Sequence, residues 1–381
     1  MKSPEGFTPP QAKIEKNEKE IAQKSPEIEI VEIGDEQLKR HSKLVLGFQR
    51  EDLREVIQRA RGKENVRYTS PDGKEFFTKY VNQQEGKRDN IEGLINEKHI
   101  LDLLADSGVT PKNSELKIYP NKKRARLVIE QVPGVSLDHL DENQSAKFLN
   151  EGAEKTIYST ADALYKIHQK GVLLVDINEG TFLLDKHDDK IETRLVDFEL
   201  AVYLNNSKPE DREAAFWWYS GKDIGLRLNK QLDHQNPDVL KKSEVNLWAR
   251  TLAGRMIGFS DMSASVDLPP EKQAEFDAMK SRIIPILEKQ IKERAKKDYE
   301  YEFQIPKEDR FYELPTEDNF IQKELEREIP RQTNEELLGI LLEEKLKAKG
   351  IIVSKEAVNF MSRALSPELQ NRPSDFKELK K

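Results

Sequence analysis

Residues 164–201 read LYKIHQKGVLLVDINEGTFLLDKHDDKIETRLVDFELA. Two short apolar runs, Thr181–Leu184 and Arg194–Val196, flank a charged turn at Lys186–Lys190. Short apolar runs around a polar turn predict a β-hairpin. Asp176 precedes the first run and Asp197 follows the second. A hairpin returns its end to its beginning, so it sets two carboxylates that are distant in sequence side by side. Such a pair suits phosphoryl transfer. One carboxylate accepts the proton of an attacking hydroxyl, and the other holds the metal that neutralises the phosphates.

Upstream, Asp72-Gly73 is a hairpin turn signal between Asn65–Thr69 and Glu75–Val81. Lys79 lies in the second of these strands; taken alone, a strand Lys reads as a solvated edge charge. Leu94, Ile100, Leu101 and Leu104 repeat at helical spacing and place Glu97 on an amphipathic helix. Arg126–Glu130 reads as a buried strand, and Val132-Pro-Gly-Val-Ser-Leu137 breaks it and starts a helix with Ser136 as N-cap. Lys122-Lys-Arg-Ala-Arg126 reads as a solvated strand edge.

In this order the segments resemble the protein-kinase-like superfamily. Gly171-Val-Leu-Leu-Val-Asp176 is similar to the G-x-x-H-R-D segment, Asp197-Phe198-Glu199 to D-F-G, Leu164-Tyr-Lys-Ile-His168 to L-x-x-I-H, and Phe76–Val81 to the V-A-I-K strand. The resemblance covers about residues 65–381. It implies an α+β, bilobal protein-kinase-like fold with a small β-rich N-lobe and a larger α-helical C-lobe. It also implies ATP with Mg²⁺ (or Mn²⁺) and transfer to protein Ser or Thr hydroxyls, the protein substrate being unknown. Asp176 is then the base, and Lys79 the clamp on the α- and β-phosphates, paired with Glu97. Asp197 is the principal metal ligand, with Thr181 and Glu199 beside it. Glu130, Gln131 and Val132 form the hinge whose backbone meets the adenine edge. Asn236-Pro-Asp238 and the helix from Glu244 to Arg250 resemble the A-P-E segment and its V-D-L-W-S helix. Ala357–Leu379 resembles the last two helices of the large lobe. Its Asn371-Arg372-Pro373-Ser374 turn implies an ion pair between Arg372 and Asp238.

Several positions depart from the pattern. Leu174 and Val175 replace His and Arg before Asp176, which removes the partner of an activation-loop phosphate. Asn178 stands at a usual Lys position, Thr181 at the second metal-binding Asn, Glu199 at the Gly of D-F-G, and Asn246 at the Asp that steadies the catalytic loop. No G-x-G-x-x-G run precedes Lys79; Gly62 is the nearest Gly before the Asp72-Gly73 turn, so no motif carries backbone cradling of the phosphates. These departures imply slow turnover, with an inactive pseudokinase scaffold as the alternative. Asp176-Ile-Asn-Glu-Gly-Thr181, Asp197-Phe-Glu199 and Gly221-Lys-Asp-Ile-Gly225 also resemble choline- and aminoglycoside-type small-molecule kinases.

The chain has 381 residues, 36% of them hydrophobic and 35% charged, with a net charge of −7. A balance this polar leaves part of the chain solvated and gives no basic block dense enough to make nucleic acid the main partner. The absence of Cys excludes disulfides, thiolate metal sites and a Cys nucleophile. No apolar stretch reaches the ~20 residues of a membrane span, and no apolar leader core opens the chain, so a reducing cytoplasmic setting is expected. Residues 1–36 read as a disordered charged tail, with Ile28–Ile33 as a short strand or docking segment. Residues 37–132 read as the N-lobe with a helical extension over Asp35–Arg61, and 133–381 as the C-lobe. An activation segment spans Ala201–Asp238, where Phe216-Trp-Trp-Tyr219 either packs or receives a substrate. A charged insertion at about 261–331 carries an amphipathic helix at Glu271–Lys297 and an acidic loop at Tyr299–Asp318.

Overall fold

The computed structural model describes residues 28–30, 58–60, 63–69, 74–82, 91–112, 114–119, 124–228, 232–304 and 315–379. The Asp72-Gly73 turn, Gly62, Lys122 and most of the expected tail and helical extension lie outside these residues. The chain divides into two compact units, Met1–Val132 with Phe198–Leu200, and Pro133–Asp197 with Ala201–Lys381.

The first unit is built on a sheet of β1 (Ile28–Ile30), β2 (Gln58–Ala60), β3 (Lys63–Thr69), β4 (Glu75–Asn82), β5 (Ser114–Tyr119) and β6 (Arg124–Glu130), with α1 (Ile91–Leu104) between β4 and β5 in sequence. The order among the described strands is β1-β5-β6-β4-β3-β2. The pleat puts Phe77, Lys79 and Val81 of β4 on one face. Lys79 pairs directly with Leu127 of β6, which is fully buried. Helix α1 packs against β5 and β6 and buries Leu94, Ile100, Leu101 and Leu104.

Two sequence expectations change here, and one is met. Gln58–Ala60, expected to be helical, forms an edge strand on β3. Ile28–Ile30, within the segment read as a short strand or docking segment, is a strand and pairs in parallel with β5. Arg126 is not on a sheet edge: β6 runs between β5 and β4, and its Arg126 is buried.

The second unit opens with β7 (Val135–Ser136), α2 (Glu142–Ser145) and α3 (Ala153–Gln169). It continues with β8 (Val172–Leu173), β9 (Phe182–His187), β10 (Lys190–Leu195) and β11 (Val202–Tyr203). The helices α4 (Pro209–Lys222), α5 (Ile224–Leu228), α6 (Pro237–Ile257), α7 (Phe259–Met262) and α8 (Pro270–Gln304) follow. It closes with α9 (Glu317–Glu336), α10 (Leu338–Ala348) and α11 (Lys355–Ala364). The hairpin that opened the sequence reading is β9–β10, in register from Phe182–Leu195 to His187–Lys190. Helix α6 is buried along an unbroken run from Ser243 to Ala249, and its Trp248 indole donates to Thr160 of α3 at 2.9 Å.

In the insertion, Ile283, Leu287 and Ile291 of α8 share a core with Leu325 of α9, Ile224 of α5 and Leu341 of α10. Its apolar stripe is thus spent on packing. Helix α8 continues through Gln304, so residues 299–304 are helical rather than loop; residues 305–314 lie outside the described ones. After α11 come only two single turns of 3₁₀ helix, Leu369–Asn371 and Lys377–Leu379, in place of the second helix expected there. No helix among the described residues is long and apolar enough to cross a membrane.

Candidate active site

In the first unit Lys79 Nζ donates to both carboxylate oxygens of Glu97, each at 2.8 Å. The Lys side chain is 12% exposed and the Glu 1%. Strand alternation turns Lys79 to the face that carries Leu127, and the helical period brings Glu97 round to meet it. A buried carboxylate requires such a partner. The backbone N–H of Phe198 also points at Glu97, at 3.4 Å, and the Asn96 amide donates to the Glu199 carbonyl at 3.2 Å. Helix α1 thereby holds the Phe198–Glu199 dipeptide. Sequence reading did not single out Asn96; its position next to Glu97 was the available signal. The Glu199 side chain lies so close to Gly93 that a Cβ there would meet its Cγ at 2.7 Å. At the end of the unit, the Gln131 N–H is taken by the Glu75 carbonyl at 2.8 Å. Glu130 and Val132, on either side of it, are partly exposed.

In the second unit Asp176 sits on the loop between β8 and β9, its side chain 31% exposed. The loop is held from several sides. Asn178 accepts from the Gly180 N–H at 2.8 Å, and its amide reaches the Asp176 carbonyl at 3.4 Å. The Thr181 hydroxyl accepts from the Asn178 N–H at 3.2 Å and reaches the Asp176 carbonyl at 3.4 Å. Its own carbonyl accepts from the Val196 N–H at 3.1 Å, one residue before Asp197. Thr181 thus ties the loop of Asp176 to the strand end that carries Asp197. Val175 and Asp197 both have φ of +68°. That region is costly for a β-branched residue and persists only where surroundings enforce it.

At Val175 the enforcing group is Glu244 of α6. One of its oxygens accepts from the Val175 N–H at 3.2 Å and from the Tyr219 hydroxyl at 2.7 Å, and the other receives Nε2 of His168 at 3.0 Å. All four groups are buried. Burial pushes the Tyr219 phenol well above its ordinary pKa, and the Glu244 charge adds to this, so the hydroxyl stays a donor. Glu244 thus fills the steadying role left open by the departure at Asn246. That residue spends its amide on the Ala364 carbonyl and accepts from Arg250, while the loop is steadied by the acid two residues earlier.

Two further expectations are overturned. Arg372 pairs with Asp223, with both side chains fully buried, and not with Asp238. Burial alone would raise the Asp223 pKa, but the Arg372 guanidinium outweighs it and holds the carboxyl below its ordinary value. Asp238 is half exposed beside Lys242 at the start of α6, where Asn236 caps the helix through the Asp238 N–H. Ser136 stands at the N-cap of a single 3₁₀ turn, Leu137–His139, but makes no side-chain cap bond: it pairs in β7 with Leu183, and its hydroxyl donates to the Glu179 carbonyl. The aromatic run of α4 divides, with Phe216 and Tyr219 buried and Trp217 and Trp218 exposed.

Beside the Asp176 loop lies a cavity of about 420 Å³, lined by Asn178 and Glu179 of the loop, Lys222 of α4, Arg250 of α6, and Arg331 and Glu335 of α9. Its wall therefore includes the charged insertion.

Among the described residues no three His, Asp or Glu side chains form a ready-made metal site. Asp197, just past the end of β10, suits Mg²⁺ delivered with phosphates, since that ion takes one or two carboxylates and completes its shell from phosphate and water. Thr181 spends its hydroxyl inside the loop.

A sheet unit with a buried Lys–Glu clamp and a helical unit with a braced acidic loop define an α+β kinase-like phosphotransferase. The protein kinase domain model matches residues 62–241, and the matched span belongs to the protein-kinase-like superfamily. No curated protein matches the chain.

Proposed function

We propose that this chain is an ATP-dependent phosphotransferase acting on Ser or Thr hydroxyls of a protein substrate, with a divergent and slow active site. The observation that carries the reading is the Lys79–Glu97 pair. An ammonium held by both oxygens of a buried carboxylate is fixed in place before a phosphate arrives, which is what electrostatic catalysis needs. In this reading the backbone at Glu130 and Val132 meets the adenine edge, and Lys79 holds the α- and β-phosphates. Asp197 holds Mg²⁺ or Mn²⁺, with Glu199 and Thr181 as secondary candidates. The metal supplies charge neutralisation of the transferred phosphoryl group. Asp176 orients the acceptor hydroxyl and takes its proton, from a backbone that Glu244 keeps in one conformation. The lack of cysteine suits a reducing compartment, and we assign the cytoplasm.

The cavity beside Asp176 supports a second reading, transfer to a small molecule, because its volume falls in the range of small-ligand sites, about 300–1,000 Å³. One experiment separates the readings. Purified protein is incubated with γ-labelled ATP and Mg²⁺ or Mn²⁺, with either a protein extract or a panel of small alcohols and amino alcohols, beside Asp176→Ala. Label in protein, lost in the variant, supports the first reading; label only in a small molecule supports the second. No transfer and no nucleotide binding sinks both and leaves a binding scaffold.

A further inference from the structure

Asp176 has a cation at hand that its own loop does not supply. Lys222, the last residue of α4, donates from Nζ to Asp176 Oδ1 at 3.0 Å. The loop residue nearest in kind, Asn178, is committed to Gly180 and the Asp176 carbonyl. The Lys222 ammonium also lies 4.8 Å from the centre of the Trp218 ring, one turn back on α4, so an aromatic face sets its direction. Both partners are accessible, Lys222 at 42% and Asp176 at 31%. An ion pair this exposed adds little to stability, so folding does not explain why a Lys is placed against this acid.

We propose that Lys222 is a catalytic residue that contacts the phosphoryl group during transfer. This rests on the kinase reading above. The acceptor oxygen bonds to the γ-phosphorus as the bond from that phosphorus to the bridging oxygen breaks. ADP leaves with the bonding electrons, and the hydroxyl proton passes to the Asp176 carboxylate and then to water. Asp176 must lie within hydrogen-bond reach of the attacking oxygen. A cation 3.0 Å from Asp176, on a flexible four-carbon stem, therefore reaches the equatorial phosphoryl oxygens, where negative charge is spread during transfer. Lys222 keeps its proton throughout. The other charged groups around it, Glu179, Arg250, Arg331 and Glu335, line the same cavity. Arg250 is held by Glu336, and Arg331 by Glu328 and Glu335, which leaves Lys222 as the cation already joined to the base.

The test is competitive acylation of lysines in the full chain, read by mass spectrometry, together with turnover of Lys222→Met and Lys222→Arg. The probe is the Mg²⁺ complex of the β,γ-imido analogue of ATP. Asp176→Asn should raise Lys222 acylation at least threefold, and the analogue should lower it in the parent protein. Lys222→Met should lower kcat about 100-fold with KM for ATP little changed, Lys222→Arg should keep at least a tenth of the activity, and both should fold as the parent does. Protection of Lys79 without protection of Lys222 overturns the proposal alone. Protection of neither lysine sinks it together with the nucleotide reading. Protection of both without turnover keeps the phosphate contact and removes the kinase activity. Full activity in Lys222→Met, or acylation indifferent to Asp176→Asn, overturns the assignment.

Discussion

The two units each hold a Lys–carboxylate pair, and the pairs differ in what surrounds them. Lys79 and Glu97 are 12% and 1% exposed, and both carboxylate oxygens are engaged by the ammonium. Lys222 and Asp176 are 42% and 31% exposed and share one contact. Water has been removed from the first pair, so each charge depends on the other, and the fold cannot lose one without stranding its partner. The second pair remains hydrated, so the fold gains little from it and either charge is free to act on a substrate. The same two chemical groups thus lie buried and doubly bonded in one unit and hydrated with a single contact in the other.

The strongest way to break this comparison is Lys79→Met. It leaves Glu97 buried without its cation and should cost about 3–5 kcal/mol, while the double variant Lys79→Met/Glu97→Met should recover most of that loss. Urea unfolding followed by a probe in the first unit measures both. A double variant as unstable as the single one would show that burial does not make the pair interdependent.

Next in size is Glu244→Ala. It strips the acceptor from buried Val175 N–H and Tyr219 and should destabilise the second unit by about 2–3 kcal/mol. Because Val175 is held at positive φ against this acid, turnover should fall along with stability. Tyr219→Phe leaves Val175 its acceptor and should be milder in both, which comparison of kcat and urea midpoints checks.

An intermediate case lies in the insertion, where hydrogen bonding from Arg331 brings the Glu328 carboxyl down from 4.5 to about 2. A carboxyl with a depressed folded pKa binds fewer protons in the native state than in the unfolded one. Its stabilisation is therefore complete above about pH 4.5 and lost as pH falls through about 2. Thermal scans at pH 6 and pH 3 should show the parent losing more of its Tm than Glu328→Gln does. Equal losses would assign the acid sensitivity to other carboxylates.

Gly93→Ala should change stability by less than about 1 kcal/mol, because helix propensity gains what the displaced Glu199 side chain costs. It should nevertheless alter Mg²⁺-dependent nucleotide binding if Glu199 serves the metal, which calorimetry with and without Mg²⁺ reads directly. The smallest stability effect belongs to Lys222→Met, within about 0.5 kcal/mol of the parent. A larger loss in urea unfolding would make that pair a brace as well and erase the contrast.

What the sequence alone determined was local and periodic. Two short apolar runs around the charged turn at Lys186–Lys190 marked the β9–β10 hairpin, while its register, closed by a two-residue loop between His187 and Lys190, came from the structure. The spacing of Leu94, Ile100, Leu101 and Leu104 specified α1 and the face of Glu97. Tertiary structure decided which polar group answers which. Glu244 and Asn246 lie two residues apart on a helix buried all round, so no apolar stripe says which of them faces the catalytic loop. Asp223 and Asp238 both follow the Phe216–Tyr219 aromatic run, and only the packing of α5 against the turn of Arg372 selects Asp223. Lys222 reaches Asp176 because α4 ends beside the loop, a placement set by how helices pack across 46 residues of chain and by no period within them.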